Sequence, residues 1–171
     1  NSITNTLEEM AETLFNSWFV EFEQYDGTVE YDDEFEKDIP ASWNKVSLSN
    51  IADFLNGKAW QEYSSEDEKE NNLPVVKIKE LRNGISKDSD RVIKSKSPEE
   101  YVLEDGNVVF SWSASLVLDI WSEGEAFLNQ HLFKVTSQEY PRWFYYLWID
   151  HHIRIFRHIA DAKKTTMGHI K

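Results

Sequence analysis

The chain has 171 residues, and its 18 Lys and Arg against 31 Asp and Glu give a formal net charge of −13. That length suits one ordinary domain with a sizeable core, and no apolar run approaches the roughly 20 residues of a membrane span or reads as a secretory leader. Cysteine is absent, which excludes disulfide frameworks, cysteine-ligated zinc and thiol catalysis and leaves a cytoplasmic globular protein as the expectation.

At face value the acidity argues against a nucleic-acid partner, but the charge is uneven. Residues 1–38 hold twelve acids and one base, Lys37, whereas residues 39–171 hold 19 acids and 17 bases. Two stretches are basic: Lys77, Lys79, Arg82, Lys87, Arg91, Lys94 and Lys96, then Arg142, Arg154, Arg157, Lys163, Lys164 and Lys171. Each is read either as a solvated face or as a polyanion-binding patch.

In chain order, Thr6-Leu-Glu-Glu9 has capping-box spacing and predicts a helix start. Leu7, Met10, Ala11, Leu14 and Trp18 then recur on one stripe, widened by Phe15, Phe19 and Phe22. A stripe this apolar docks on its own domain or on another helix. Tyr25 to Asp38 is acidic and almost free of apolar residues, and is expected to be a mobile connector. Trp43 to Leu48 suggests a short strand. Ser49 to Leu55 suggests a short helix closed by Asn56-Gly57 in a left-handed cap. Ser64 to Asn72 reads as a polar loop.

From there the pattern turns to strands at Leu73–Ile78, Val108–Trp112, Leu116–Trp121 and His131–Val135. Asn83-Gly84, Asp105-Gly106 and Glu123-Gly124 supply turn chemistry between them. Pro141 to Ile159 predicts a closing helix capped by Ser137, with Phe144, Leu147, Trp148, His151 and Ile155 on its apolar face. The expected fold class is α+β: a single mixed domain with a β-rich core and a helix at each end.

Reaction chemistry is poorly supported by these residues. His151, His152 and His158 lack any His-Glu-x-x-His spacing, so helix-surface histidines are favoured over a metal site. Glu66-Asp67-Glu68-Lys69 lies in a polar loop with no strand to pre-position a metal-binding carboxylate cluster. No nucleophile elbow, phosphate loop or dinucleotide fingerprint occurs, and no cofactor is expected. Among the tryptophans, Trp18, Trp121, Trp143 and Trp148 fall on apolar faces and are expected to fill core. Trp43, Trp60 and Trp112 lie near turns and are candidates for ligand contact, which keeps an aromatic-rich protein- or carbohydrate-binding module as the alternative. The most unusual segment is Leu128-Asn-Gln-His-Leu-Phe-Lys-Val135, where three polar residues enter a strand. They can serve base recognition or satisfy backbone groups at the strand start, and the second is favoured.

The sequence resembles a target recognition domain from the specificity (S) subunit of type I restriction–modification systems. Leu7 to Phe22 is similar to the end of that family's long spacer helix. The resemblance continues through Ile39-Pro-Ala-Ser-Trp43, Leu48 to Leu55, Gly57-Lys-Ala-Trp60 and Leu73-Pro-Val-Val-Lys-Ile-Lys79 with Asn83-Gly84. Its most specific block is Gly106 to Val135, where Phe110-Ser-Trp-Ser113, Ile120-Trp121 and Leu128 to Val135 follow the family's order and spacing. Asn107 departs from the family's usual Asp and is expected to alter only a local turn. Thr165-Thr-Met-Gly-His169-Ile170 is similar to the lead-in to a further spacer helix.

The resemblance implies a non-catalytic reader of double-stranded DNA that recognises one half of a bipartite site. It implies modification (methyltransferase) subunits as partners and, through them, restriction subunits. It divides the chain into a spacer-helix end at 1–24, an acidic linker at 25–38 and a recognition domain at 39–171, a fragment of a longer subunit. On this reading Lys77, Lys79, Arg82, Lys87, Lys94, Lys96, Lys163 and Lys164 contact phosphates. Base reading falls to groups around Trp60, Ser111, Trp112 and Ser113 and to Thr165, Thr166 and His169, while Asn129 to His131 suits a shared scaffold better. Met10, Leu14, Trp18 and Phe22 form the partner-docking face of the first helix.

Overall fold

The computed structural model describes residues 2–63, 71–112 and 116–164, with side chains described from Ile3 to Phe156 within those spans. The chain divides into two compact units, Asn1–Ser47 and Leu48–Lys171.

In the first unit, helix α1 (Ser2–Phe15) runs into a π-helical turn, Asn16–Val20. The helix begins ahead of Thr6, so Thr6 is an interior residue and the capping box expected there does not form. Ile3, Leu7, Met10, Leu14 and Trp18 are all at least half exposed. Phe22 behaves differently: its ring meets Trp43 edge-on at 5.3 Å and carries the Lys37 ammonium 5.0 Å from its centre.

The segment expected to be a connector instead forms a hairpin of β1 (Val29–Asp32) and β2 (Lys37–Pro40), antiparallel, with Val29 opposite Pro40. The turn explains how so acidic a stretch folds. Asp32 Oδ1 accepts the N–H groups of Glu34 and Phe35, each at 3.0 Å. Lys45 reaches Asp32 at 2.7 Å and Glu34 at 3.0 Å. The Lys45 hydrogen bond, helped by those backbone donors, holds the Asp32 carboxyl below its ordinary range. The strand expected near Trp43 is absent; residues 43–47 are irregular, and the Trp43 ring packs on Phe22 and Phe19.

The second unit carries two four-stranded sheets. Helix α2 (Leu48–Ile51) is short and leads into β3 (Asp53–Asn56). The predicted helix over 49–55 is therefore overridden from Asp53 onward, because Phe54 and Leu55 find strand partners in Val135 and Lys134. Beyond it lie β4 (Asn72–Val76), helix α3 (Ile78–Asn83), β5 (Arg91–Ile93), β6 (Val102–Leu103), β7 (Val108–Ser111), β8 (Val117–Ile120), β9 (Ala126–Leu128) and β10 (Leu132–Thr136). A long helix α4 (Arg142–Lys164) closes the described chain. The four strands predicted from residue 73 onward appear within two residues of their expected bounds. β5, β6, β9 and α3 are too short to show a period.

The first sheet, β3-β10-β7-β8, is wholly antiparallel. The second, β5-β4-β9-β6, pairs β4 with β9 in parallel and is otherwise antiparallel. Alternation along each strand sorts the core into layers. Val76, Leu103, Val109, Ala126, Leu128 and Leu132 share one cluster to which both sheets contribute. Val108 and Val135, from the opposite face of the first sheet, join Tyr145, Ile149 and Ile153 of α4. Val75, Val92 and Phe127, from the opposite face of the second sheet, join Trp60 and Val102.

Two details of α4 correct the expectation. Its buried residues are Tyr145, Ile149 and Ile153, with Phe144 and Trp148 only partly covered and Ile155 exposed. The face is rotated because the Tyr145 ring packs like any apolar side chain, and burial raises its hydroxyl's pKa. Ser137 accepts the Tyr140 N–H at 3.1 Å, well ahead of Arg142, so it stabilises the approach and does not cap the helix. Of the tryptophans expected in the core, Trp121 is buried, but Trp18 and Trp143 are 50% and 51% exposed.

Candidate nucleic-acid interface

Much of the predicted basic stretch gathers where β4 leads into α3 and along the neighbouring β5. Lys77 lies between the end of β4 and the first turn of α3, so it and Lys79 emerge together where the sheet ends. Glu80 fixes this junction: its buried carboxylate accepts the Lys77 N–H at 3.2 Å and the Ser89 hydroxyl at 3.1 Å. Arg91 opens the antiparallel neighbour β5, where its guanidinium donates to Asn72 on β4.

A concavity of roughly 640 Å3 lies among these residues, with apolar lining from Trp60, Val75 and Val92. Among the described residues, Lys77, Lys79 and Arg91 contribute three cations to the lining and Asp90 one carboxylate, so this lining is net positive in a chain of net charge −13. Lys77 Nζ pairs with Asp90 at 2.5 Å, while Lys79 is exposed with no partner among the described residues. An exposed ion pair of this kind is worth little in water and is readily exchanged for a phosphate.

The turn between β9 and β10 completes the lining with Asn129, Gln130 and His131. Asn129 is scaffold, as favoured from the sequence. It is 6% exposed, its N–H donates to Val76 O at 3.1 Å, its carbonyl accepts from Leu132, and its Oδ1 accepts the His131 N–H at 3.3 Å. The chain passes so close that Gly57 has no room for a side chain; a Cβ there would lie 2.2 Å from the Asn129 carbonyl oxygen. Gly57 is thus required by close approach, not by the left-handed cap expected of it, for the glycines with positive φ among the described residues are Gly84, Gly106 and Gly124.

Gln130 and His131 are left over from this scaffold. Gln130 is half-buried, and its Oε1 is the one buried side-chain polar atom without a hydrogen-bond partner among the described residues. His131 is exposed beside Trp112, with ring centres 6.1 Å apart. Trp112, 49% exposed, therefore adjoins the cationic group through His131.

The remaining candidates divide. Trp60 is 4% exposed, with its indole N–H donating to Leu128 O at 2.8 Å and its ring 4.7 Å from Phe127, so it forms wall and core. Ser111 is fully buried opposite Leu132. Arg82, Lys87 and Lys96 are exposed along the same α3–β5 segment without lining the concavity. Lys94 is paired with Glu125 at 2.6 Å. Ser113, Thr165, Thr166 and His169, and the side chains of Lys163 and Lys164, lie outside the described residues. Asn107 Oδ1 accepts the Glu104 N–H at 3.0 Å, a turn contact that a carboxylate at this position would also make.

Sequence reasoning counted Arg91 in the basic stretch but gave it no phosphate contact, and it gave Gln130 and His131 the same scaffold role as Asn129. The run of three polar residues entering a strand was the available signal. Only the turn geometry separates one buried residue from two that line the concavity.

The model of the family described as type I restriction modification DNA specificity domain matches residues 40–171. The chain is 28% identical over 137 residues to the type I restriction enzyme MjaIX specificity subunit of Methanocaldococcus jannaschii, covering 77% of this chain and 30% of that protein. It is 24% identical over 132 residues to the EcoBI specificity subunit of Escherichia coli, covering 75% and 26%. Less than a third of each relative's length is therefore spanned. The HsdS subunit from Thermoanaerobacter tengcongensis is similar in structure over 85% of this chain and 34% of its own, at 16% identity and a TM-score of 0.48.

Proposed function

The chain belongs to the family of type I restriction modification DNA specificity domains, and from that premise we propose that residues 39–171 bind double-stranded DNA sequence-specifically, reading one half of a bipartite target. The observation that carries this is the net-positive concavity of Lys77, Lys79 and Arg91 beside Gln130 and His131 in an otherwise acidic chain. Cations grouped on one surface neutralise phosphates and release counterions, which supplies affinity, while amide and imidazole groups beside them can read base edges. Arg82, Lys87, Lys94 and Lys96 extend the phosphate contacts along the same segment, and Lys163 and Lys164 add to them. Trp112 and its neighbours flank the reading groups.

The domain is non-catalytic, acts in the cytoplasm and requires no cofactor; cleavage and methyl transfer belong to its partners. Residues 1–24 hold the end of a spacer helix, and the acidic segment 25–38 that links it onward is largely taken up by the β1–β2 hairpin. The exposed Met10, Leu14 and Trp18 form the docking face for a modification subunit, and restriction subunits join through it. Phe22, packed on Trp43, shapes the end of that face.

Charge reversal tests the DNA assignment. Duplex affinity of wild type and of Lys77→Glu/Lys79→Glu, measured by fluorescence anisotropy over 50–300 mM salt, should fall steeply with salt for wild type. The double variant should bind all sequences more weakly, with a salt slope shallower by about two. An unchanged slope would remove these lysines from the interface, and binding indifferent to salt would favour an aromatic protein- or carbohydrate-binding module.

A further inference from the structure

Among the described residues, Gln130 alone has a buried side-chain polar atom without a hydrogen-bond partner. Its neighbour Asn129 spends its side chain and both main-chain groups on the joint between the sheets, which fixes the turn. Gln130 lines the concavity with a half-buried side chain, yet its Oε1 is withdrawn from water and accepts no hydrogen bond from the described residues. A buried acceptor without a donor carries most of its desolvation cost uncompensated. No hydrogen bond to that oxygen would therefore be lost if the carboxamide rotated outward about its side-chain torsions.

The surroundings say what it would rotate toward. Lys77, Lys79 and Arg91 line the same concavity and call for a polyanion. Phosphate oxygens, however, are acceptors only and cannot satisfy Oε1. The ligand must combine negative charge with an N–H donor a few ångströms away, which a nucleotide with an exocyclic amino group does. Adenine offers N6–H2 beside the N7 acceptor, and a carboxamide matches that pair with both its atoms. Cytosine offers the amino group alone.

We propose that Gln130 is a specificity-determining residue that reads an adenine edge, with the backbone ridge of that strand held in the concavity by Lys77, Lys79 and Arg91. This rests on the reading of the unit as a DNA-binding domain. The turn is one wall of the concavity, so a ridge seated there brings the adjoining groove to Gln130 and His131.

The test is selection of bound duplexes from a random pool by the 171-residue chain, followed by affinity measurements on the enriched sequence and its single-base variants. Gln130→Met keeps the side-chain length and abolishes hydrogen bonding, and thermal unfolding confirms that it folds. Wild type should enrich adenine at one position and lose affinity about 10- to 100-fold when it is replaced. Gln130→Met should lose that discrimination, binding the enriched sequence and its variant at that position with the same affinity. Gln130→Glu, which can only accept, should shift the position toward cytosine. Enrichment of the same motif by wild type and Gln130→Met would overturn the assignment and leave the DNA-binding reading intact. Retention of no duplex by wild type at 50 mM salt would overturn both.

Discussion

The two sheets of the second unit show what a strand's second face can be used for. Both give one face to a common cluster built from Val76, Leu103, Val109, Ala126, Leu128 and Leu132. Beyond that they diverge. The first sheet's other face is covered by α4 through Tyr145, Ile149 and Ile153. Among the described residues, the second sheet's other face receives the aromatic group of Trp60, Tyr63 and Tyr101 around Phe127, and it also borders the concavity. A face under a long helix is committed to packing, whereas a face under a small patch has room for cations and amides. The lesson is one of division of labour. The first sheet and α4 hold the second sheet in place, and the second sheet meets the ligand.

Truncating one buried side chain on each outer face breaks the comparison most severely. Phe127→Ala removes a fully buried ring whose centre lies 4.7 Å from that of Trp60, and Ile153→Ala removes a buried anchor of α4. Losses of about 3–5 and 2–5 kcal/mol are expected in urea unfolding. The distinction lies in binding. Corrected for the fraction folded, Phe127→Ala should still weaken duplex binding, because Trp60 and Val75, which pack on this ring, line the concavity. Ile153→Ala should leave that affinity unchanged. Equal losses of affinity would mean that the two faces are not functionally separate.

Gly57→Ala probes the joint between the sheets and should have a smaller effect. The Gly57 N–H donates to Leu132 O at 2.9 Å and the Lys58 N–H to Leu128 O at 3.1 Å, so this segment lies against the same turn from which Gln130 projects. A methyl group would meet main-chain atoms, which cannot rotate away. A cost of about 1–3 kcal/mol is expected in the same unfolding assay, together with weaker duplex binding as the turn shifts. If stability falls but binding holds, the turn's position is not what places the reading groups.

Legibility in the sequence followed the length of each element. Val108–Ser111, Val117–Ile120 and Leu132–Thr136 are long enough to show β-branched and aromatic enrichment, and α4 spans several helical turns, so all were foreseen. Ala126–Leu128 was not, because three apolar residues buried on both faces have no alternation to read. The 29–40 hairpin was missed because its stability comes from Lys45 and the Asp32 turn contacts rather than from apolar periodicity. The candidate site was half legible. Lys77 and Lys79 stood out by charge, but Arg91 and Gln130 gain their significance from the β4–β5 pairing and the β9–β10 turn, which only the fold brings together.

The smallest expected effect concerns a cation between the two sheets. Lys134 projects from β10 and donates from Nζ to Val102 O of β6 at 2.9 Å, tying the two sheets. Burial lowers its pKa from the ordinary 10.5, opposed by the carboxylates of Glu104 and Glu100. The folded protein therefore sheds this proton at a lower pH than the unfolded chain does. Between the lowered value and 10.5 the unfolded state binds more protons, so this group makes stability rise with pH across that window. Lys134→Met exchanges the hydrogen bond for relief of desolvation and should lie within about 1 kcal/mol of wild type near neutrality. Subtracting the two proteins' urea stabilities from pH 8 to 10.5 cancels the tyrosine titrations they share. The wild type should gain on the variant as pH rises; a flat difference would mean that Lys134 keeps its proton as readily when folded as when unfolded. The contrast with Lys77 and Lys79 is then direct: a lysine between the sheets shapes stability, and those on the open face shape binding.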